Sequence, residues 1–202
     1  MSVSLVLATR NDHKVDEVRS ILGAAGLEVP LVGLSGFPDG PDVVEDGLTF
    51  AANALKKARA VSAATGLPAV ADDSGLCVDA LNGMPGVFSA RWAGRHGDDD
   101  ANLDLVLSQV ADVPDADRGA SFVCAAALAV PVGEERVVEG RIVGRLLRAR
   151  RGSGGFGYDP IFLPAGHDRT TAEMTAAEKN VISHRGEAFR ALAPGIAELV
   201  RP

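Results

Sequence analysis

No stretch of this 202-residue chain stays apolar long enough to cross a bilayer. The longest nearly unbroken run, Phe122 to Val132, falls well short of the roughly 20 residues that a spanning helix needs. The opening "MSVSLVLATRNDHK" has no basic segment ahead of its apolar stretch, and that stretch is too short for a secretory signal. Nothing read from the sequence targets or anchors the chain. Cysteine is scarce too. Cys77 and Cys124 sit inside apolar runs without C-x-x-C spacing, which marks them as reduced core thiols and points to the cytoplasm. Positive charge is outnumbered, with 20 Lys and Arg against 27 Asp and Glu, for a formal charge of −7. That balance opposes a nucleic-acid polymer or an anionic membrane as partner, while leaving room for a small anion carried in by a metal. No repeat or low-complexity segment occurs.

What is present describes an ordinary soluble globular protein, 47% apolar and 23% charged. The length suits a single domain over residues 1–202, in one lobe or two, with a core that needs no disulfide or metal staple. Strands and helices alternate. "VSLVLA" reads as a buried strand, and the helix after it places Val15, Val18, Ile21 and Leu22 on one face. "LEVPLVGL" follows as a strand and "SGFPDGPDVVEDG" as a polar loop. A helix then runs from an N-cap at Thr49 to a stop at Gly66. "LPAVADD" reads as a short buried strand that ends on two acids. "DDDANLDLVLSQVADV" is a helix whose first acids serve as caps. "RGASFVCAAALAVPV" and "ERVVEGRIVGRLL" are two strands able to pair across a turn near Gly133. "RRGSGGFGYDP" is a glycine-rich loop, and Pro194 must kink or split the closing helix. The alternation implies an α/β fold, and the consecutive strands in the middle imply a mixed sheet.

Four segments can carry chemistry. "ATRNDHK" joins the first strand to a helix N-terminus, where Thr9, Arg10, Asn11 and Lys14 either bind phosphate or simply cap the helix. It lacks the glycines of a Walker A loop. Glu45 and Asp46 precede a helix, where acids also have a purely dipolar use. Taken with Asp72 and Asp73, they form a possible oxygen-ligand set for magnesium, which is usually held by one or two carboxylates plus substrate phosphates. In "GGFGYDP", Phe156 and Tyr158 either stack on a ligand or fill core. In "EKNVISHRG", Lys179, Ser183, His184 and Arg185 form either a site or a solvated, capping set.

Together "ATRNDHK", "EDGLTFAANALKKA", "ADDSGL…GMPGVFSARWAG", "GGFGYDPIF" and "EKNVISHRG" resemble the inosine/xanthosine triphosphate pyrophosphatase family, the RdgB-like dITP/XTP pyrophosphatases, in order from about Leu5 to about Phe189. The resemblance implies an elongated mixed central sheet flanked by helices, two lobes around a nucleotide cleft, and a homodimer. It further implies Mg2+-dependent hydrolysis of ITP, dITP and XTP to the monophosphate and pyrophosphate. On it, Glu45 and Asp73 hold the metal, Asp73 is the first choice as base, and Asp72 supports the turn. Thr9, Asn11, Lys14 and Lys57 face the phosphates, although Lys57 also reads as a solvated helix residue. Arg10, Ser74, Gly157, Tyr158 and Asp159 complete the substrate contacts. Phe156 stacks on the purine. Arg185, an obligate donor, suits the 6-oxo group of hypoxanthine or xanthine and meets the 6-amino group of adenine donor to donor. Lys179 and His184 complete the base edge, with Lys179 alternatively reaching phosphate. Two departures stand out: Ala52 where relatives carry an acid in T-F-x-E-N-A, and Arg150 where they often carry proline. Other readings are a Maf-like pyrophosphatase, a phosphatase built on Asp72-Asp73 that lacks the usual acid-x-acid spacing, and a nucleotide-binding regulator without turnover.

Overall fold

The computed structural model describes residues 4–200. Its six strands are β1 (Leu5–Leu7), β2 (Leu31–Gly33), β3 (Ala69–Val78), β4 (Gly119–Ala129), β5 (Glu135–Leu146) and β6 (Phe162–Pro164). Its helices are α1 (Asp12–Ala24), α2 (Phe50–Thr65), α3 (Asp99–Gln109), α4 (Ala176–Ile182) and α5 (His184–Val200). The strands form one sheet in the order β2-β1-β3-β4-β5-β6. β1 pairs in parallel with both β2 and β3, whereas β5 and β6 are antiparallel, so the sheet is mixed as the order of elements implies. Val3, where the first strand was expected to begin, lies outside the described residues.

The chain forms two compact units, residues 1–73, 124–140 and 184–202 in one, and 74–123 and 141–183 in the other. In the first unit, side-chain alternation along β1 and β3 sorts residues to two faces. Leu5, Leu7 and Val70 pack with Val15, Val18, Ile21 and Leu22 of α1 and with Phe189, Leu192 and Ile196 of α5. Val6 and Ala69 turn the other way and pack with Leu34 and with Val61 of α2. The helix ends follow local chemistry. Asn11 and Thr49 cap α1 and α2 by accepting from the N–H groups of Lys14 and Ala52, and Gly66 closes α2 at φ 68°, in the left-handed region that glycine adopts without strain. In the second unit, Leu76 and Val78 of β3 pack with Leu103 and Val106 of α3 and with Val110 just past its end, and Phe122 meets Phe162 edge-on at 4.7 Å.

Three expectations change. β3 does not end at Asp72-Asp73 but continues through them to Val78, so no turn is there for Asp72 to support. β2 is only three residues long. Pro194 does not split α5, which runs from His184 to Val200 with the proline on its exposed side.

Gly140 of β5 permits the close approach of α5. A Cβ there would come 2.2 Å from the carbonyl oxygen of His184 and 2.5 Å from the N–H nitrogen of Ala188, both backbone atoms. Gly140→Ala is therefore expected to cost about 1–3 kcal/mol, as overpacking of a fitted interior does. A urea-unfolding midpoint unchanged from wild type would contradict this.

Candidate active site

Strand alternation sends the two neighbouring acids to opposite faces of β3. Asp72, 3% exposed, meets the ammonium of Lys14 at 2.8 Å and Nε of Arg185 at 3.2 Å. Arg185 in turn reaches Glu17 at 3.0 Å. Burial alone would push the Asp72 carboxyl up, but Lys14 and Arg185 outweigh it and hold the group well below its ordinary value. Cys124 packs beside it, its thiol pushed up by burial and by that carboxylate.

Asp73 faces α2. Its Oδ2 accepts a 2.9 Å hydrogen bond from Nδ2 of Asn53. Burial raises its carboxyl above the ordinary value, the nearby carboxylates of Glu45 and Asp72 add to the rise, and Lys57 and Asn53 only partly offset it. Lys57 is ion-paired with Glu45, both side chains being largely buried at 14% and 25% exposure. This burial and pairing remove the reading of Lys57 as a solvated helix residue. Lys57 also lines an open pocket with Thr9, Arg10, Asp42 and Val43. Arg10 is tied to the same rim through the Gly40 carbonyl at 2.9 Å and through Asp42. Thr9 Oγ1 accepts from the N–H of Asn11.

Among the described residues no three of His, Cys, Asp and Glu come together as a metal-holding group. The donors present, Glu45 and Asp73, are hard oxygen ligands. They suit a magnesium ion whose remaining positions are filled by phosphate oxygens and water, not an all-protein cage. Ala52, where an acid was missed, is exposed at the third position of α2, and its N–H is the one Thr49 caps. An acid at this position would complete a capping box.

The second unit gathers the glycine-rich loop around Asp159, 3% exposed. Its Oδ2 accepts from the Phe156 N–H at 2.9 Å and pairs with Lys179, and its Oδ1 accepts from Thr171 Oγ1 at 2.8 Å. Phe156 is 60% exposed with the Lys179 ammonium 4.9 Å from its ring centre. Gly157, at φ 59°, donates to Asp99 of α3 at 2.9 Å. Tyr158 takes the core-filling one of its two readings. Its ring lies in the core with Leu76 and Leu103, and its hydroxyl donates to the Ser89 carbonyl, leaving Phe156 as the ring of this loop that faces outward. Ser74 follows Asp73 in β3 and is half-buried. His184 opens α5 and is buried. Arg185, which the resemblance puts at a base edge, is buried, with its guanidinium on Asp72 and Glu17 of the same unit.

The sequence reading missed Asn53, Glu17 and Asp99. Asn53 had a signal: a polar residue on the stripe Phe50, Ala54, Val61 that α2 buries.

The Ham1 family profile matches residues 5–195. The chain belongs to the Ham1 family. It is 66% identical over 196 residues to the dITP/XTP pyrophosphatase of Streptomyces coelicolor, covering 97% of this chain and 98% of that one. A solved nucleoside-triphosphatase / dITP/XTP pyrophosphatase from Mycobacterium abscessus is 54% identical and superposes with a TM-score of 0.78 over 95% of this chain and 100% of that one. A Ham1 protein of Coxiella burnetii is 42% identical with a TM-score of 0.87, covering 97% and 99%. Among the described residues, no helix of this Ham1 chain is long and apolar enough to cross a membrane.

Proposed function

We propose that this Ham1 protein hydrolyses ITP, dITP and XTP to the nucleoside monophosphate and pyrophosphate, with Mg2+ held by Glu45 and Asp73, and so clears deaminated purines from the nucleotide pool. The observation that carries this is the largely buried ion pair of Lys57 with Glu45, with Lys57 lining the pocket of Thr9 and Arg10 and Asp73 near enough to feel both charges. Two acids beside cationic phosphate donors are the equipment of a metal–triphosphate site.

In the reaction, water attacks the α-phosphorus, its proton passes to a base, and pyrophosphate leaves. Asp73 is the base: Asn53 engages one oxygen of its carboxylate and leaves the other to take the proton. Thr9 and Asn11 hydrogen-bond the phosphates, and Lys57, Arg10 and Lys14 neutralise their charge. Magnesium, when bound, supplies Lewis-acid polarisation of the phosphate oxygens. Phe156 stacks on the purine with Lys179 and Asp159 beside it, while Ser74 and Gly157 complete the contacts. His184 and Arg185 select the 6-oxo group, and a donor whose orientation Asp72 and Glu17 fix is what selection requires. A homodimer in the cytoplasm belongs to this reading, and the two free cysteines agree with a reducing compartment.

A nucleotide panel in oxygen-18 water with Mg2+ tests it. The ratio kcat/KM for ITP, dITP and XTP should exceed that for ATP by about 100-fold or more, and the label should enter the monophosphate. Equal efficiency on ATP and ITP overturns the role of Arg185. Label in pyrophosphate overturns attack at the α-phosphorus, and no hydrolysis of any purine triphosphate overturns the function.

A further inference from the structure

Three consecutive residues of the acidic loop are fastened to α2. Glu45 pairs with Lys57, Asp46 with Lys56 at 2.6 Å, and the Gly47 N–H donates to Asn53 Oδ1 at 2.7 Å. The first two are charged contacts, one of them exposed on both sides. The third differs in kind, because Asn53 is fully buried and its amide is used at both ends. Its oxygen takes the loop and its nitrogen takes Oδ2 of Asp73. The fit at the loop end is tight, since a Cβ on Gly47 would stand 2.5 Å from Asn53 Oδ1.

We propose that Asn53 is the positioning residue of this site, one amide that fixes the strand acid Asp73 and the loop acid Glu45 in a single geometry. The proposal rests on the hydrolase reading above. A buried asparagine that merely satisfied itself would find partners anywhere. Here the partners are one proposed metal ligand and a backbone group two residues from the other. Because the amide cannot exchange its donor and acceptor ends without breaking both bonds, it occupies one carboxylate oxygen of Asp73 and leaves the second to the reaction. It touches no substrate and acts through Asp73.

Two variants separate its arms. Asn53→Ala removes both bonds, and Asn53→Asp keeps the acceptor for Gly47 while removing the donor to Asp73. Each, when folded by circular dichroism, should lose about 100-fold in kcat on ITP with KM within about threefold of wild type, the signature of misplaced chemistry instead of weakened binding. A folded variant with kcat within about threefold of wild type overturns the proposal. Should neither variant fold, the wild-type protein decides: the Gly47 amide, although in a loop without regular structure, should resist hydrogen exchange by about 100-fold or more, and exchange at the rate of a free loop overturns the anchoring. Wild-type hydrolysis of ITP is measured alongside. Its absence defeats the hydrolase reading, while the Gly47 amide still reports on Asn53.

Discussion

Asp73→Asn should abolish turnover without weakening the fold. The expected loss in kcat on ITP is about 1,000-fold, inside the range of roughly 100- to 10,000-fold that a positioned acid–base group supplies, with the loss of a metal ligand added to it. Stability should move the other way. Burial and two neighbouring carboxylates raise the Asp73 carboxyl in the folded protein. A raised acid favours the folded state when protonated, and that advantage is lost as pH rises from the unfolded value of 3.8 through the folded one. At pH 7 the wild-type protein carries the cost of a buried ionised group, and the neutral amide removes it. The melting temperature of Asp73→Asn should therefore equal or exceed that of wild type. Such a trade of stability for activity is common where chemistry needs a destabilised group. A variant that hydrolyses ITP near the wild-type rate overturns the assignment of Asp73, and one with normal activity loss but a lower melting temperature overturns the account of its burial.

The adjacent acid should behave in the opposite sense. Asp72→Asn is expected to destabilise the protein by about 3–5 kcal/mol, because removing one partner of a buried pair leaves the others uncompensated. Arg185 would keep Glu17, but its side chain is only 4% exposed, and the ammonium of Lys14 would lose its carboxylate. The Asp72 carboxyl is lowered in the folded state. A lowered acid contributes stability that is present above its unfolded value of 3.8 and is lost as pH falls below that value through the folded one. Urea unfolding at pH 7 and at a series of values down to pH 3 should show the gap between wild type and variant at full size near neutrality and shrinking below pH 3.8. A gap that is absent at pH 7, or constant across the series, would show that the ion cluster is not what holds Asp72 in place.

How far the sequence disclosed this protein depends on which forces act locally. The face of α1, the N-cap at Thr49 and the stop at Gly66 depend on residues a turn or two away, and all were readable. The loop acids Glu45 and Asp46 stood out by their company, and the structure ties them to Lys57 and Lys56 of α2. The extension of β3 was not, because Asp72-Asp73-Ser74-Gly75 has the composition of a turn. Only tertiary pairing, the place of β3 between β1 and β4 in the sheet, makes a strand of it. β6 is too short to show a period, and α4 begins from a capping box that was overlooked, Thr175 with Glu178. Tyr158 and Phe156 are two residues apart and chemically alike, so nothing local says that one fills the core of its unit and the other stays outside.

The continuation of β3 through its two acids makes the site sensitive to the reading of length, not only of identity. Losing a single residue between Ala69 and Ala71 would exchange the two carboxylates between faces: Asp73 would arrive among Lys14 and Arg185, and Asp72 would turn toward Asn53 and Lys57. The composition of the strand would scarcely change, and both carboxyl groups would survive. Their environments would not transfer with them, because the cations on one side and the amide on the other belong to helices that stay put. Deleting two residues restores the faces but drags the acids along the strand. Substitution at these positions tests one role at a time, whereas an odd change in length swaps two.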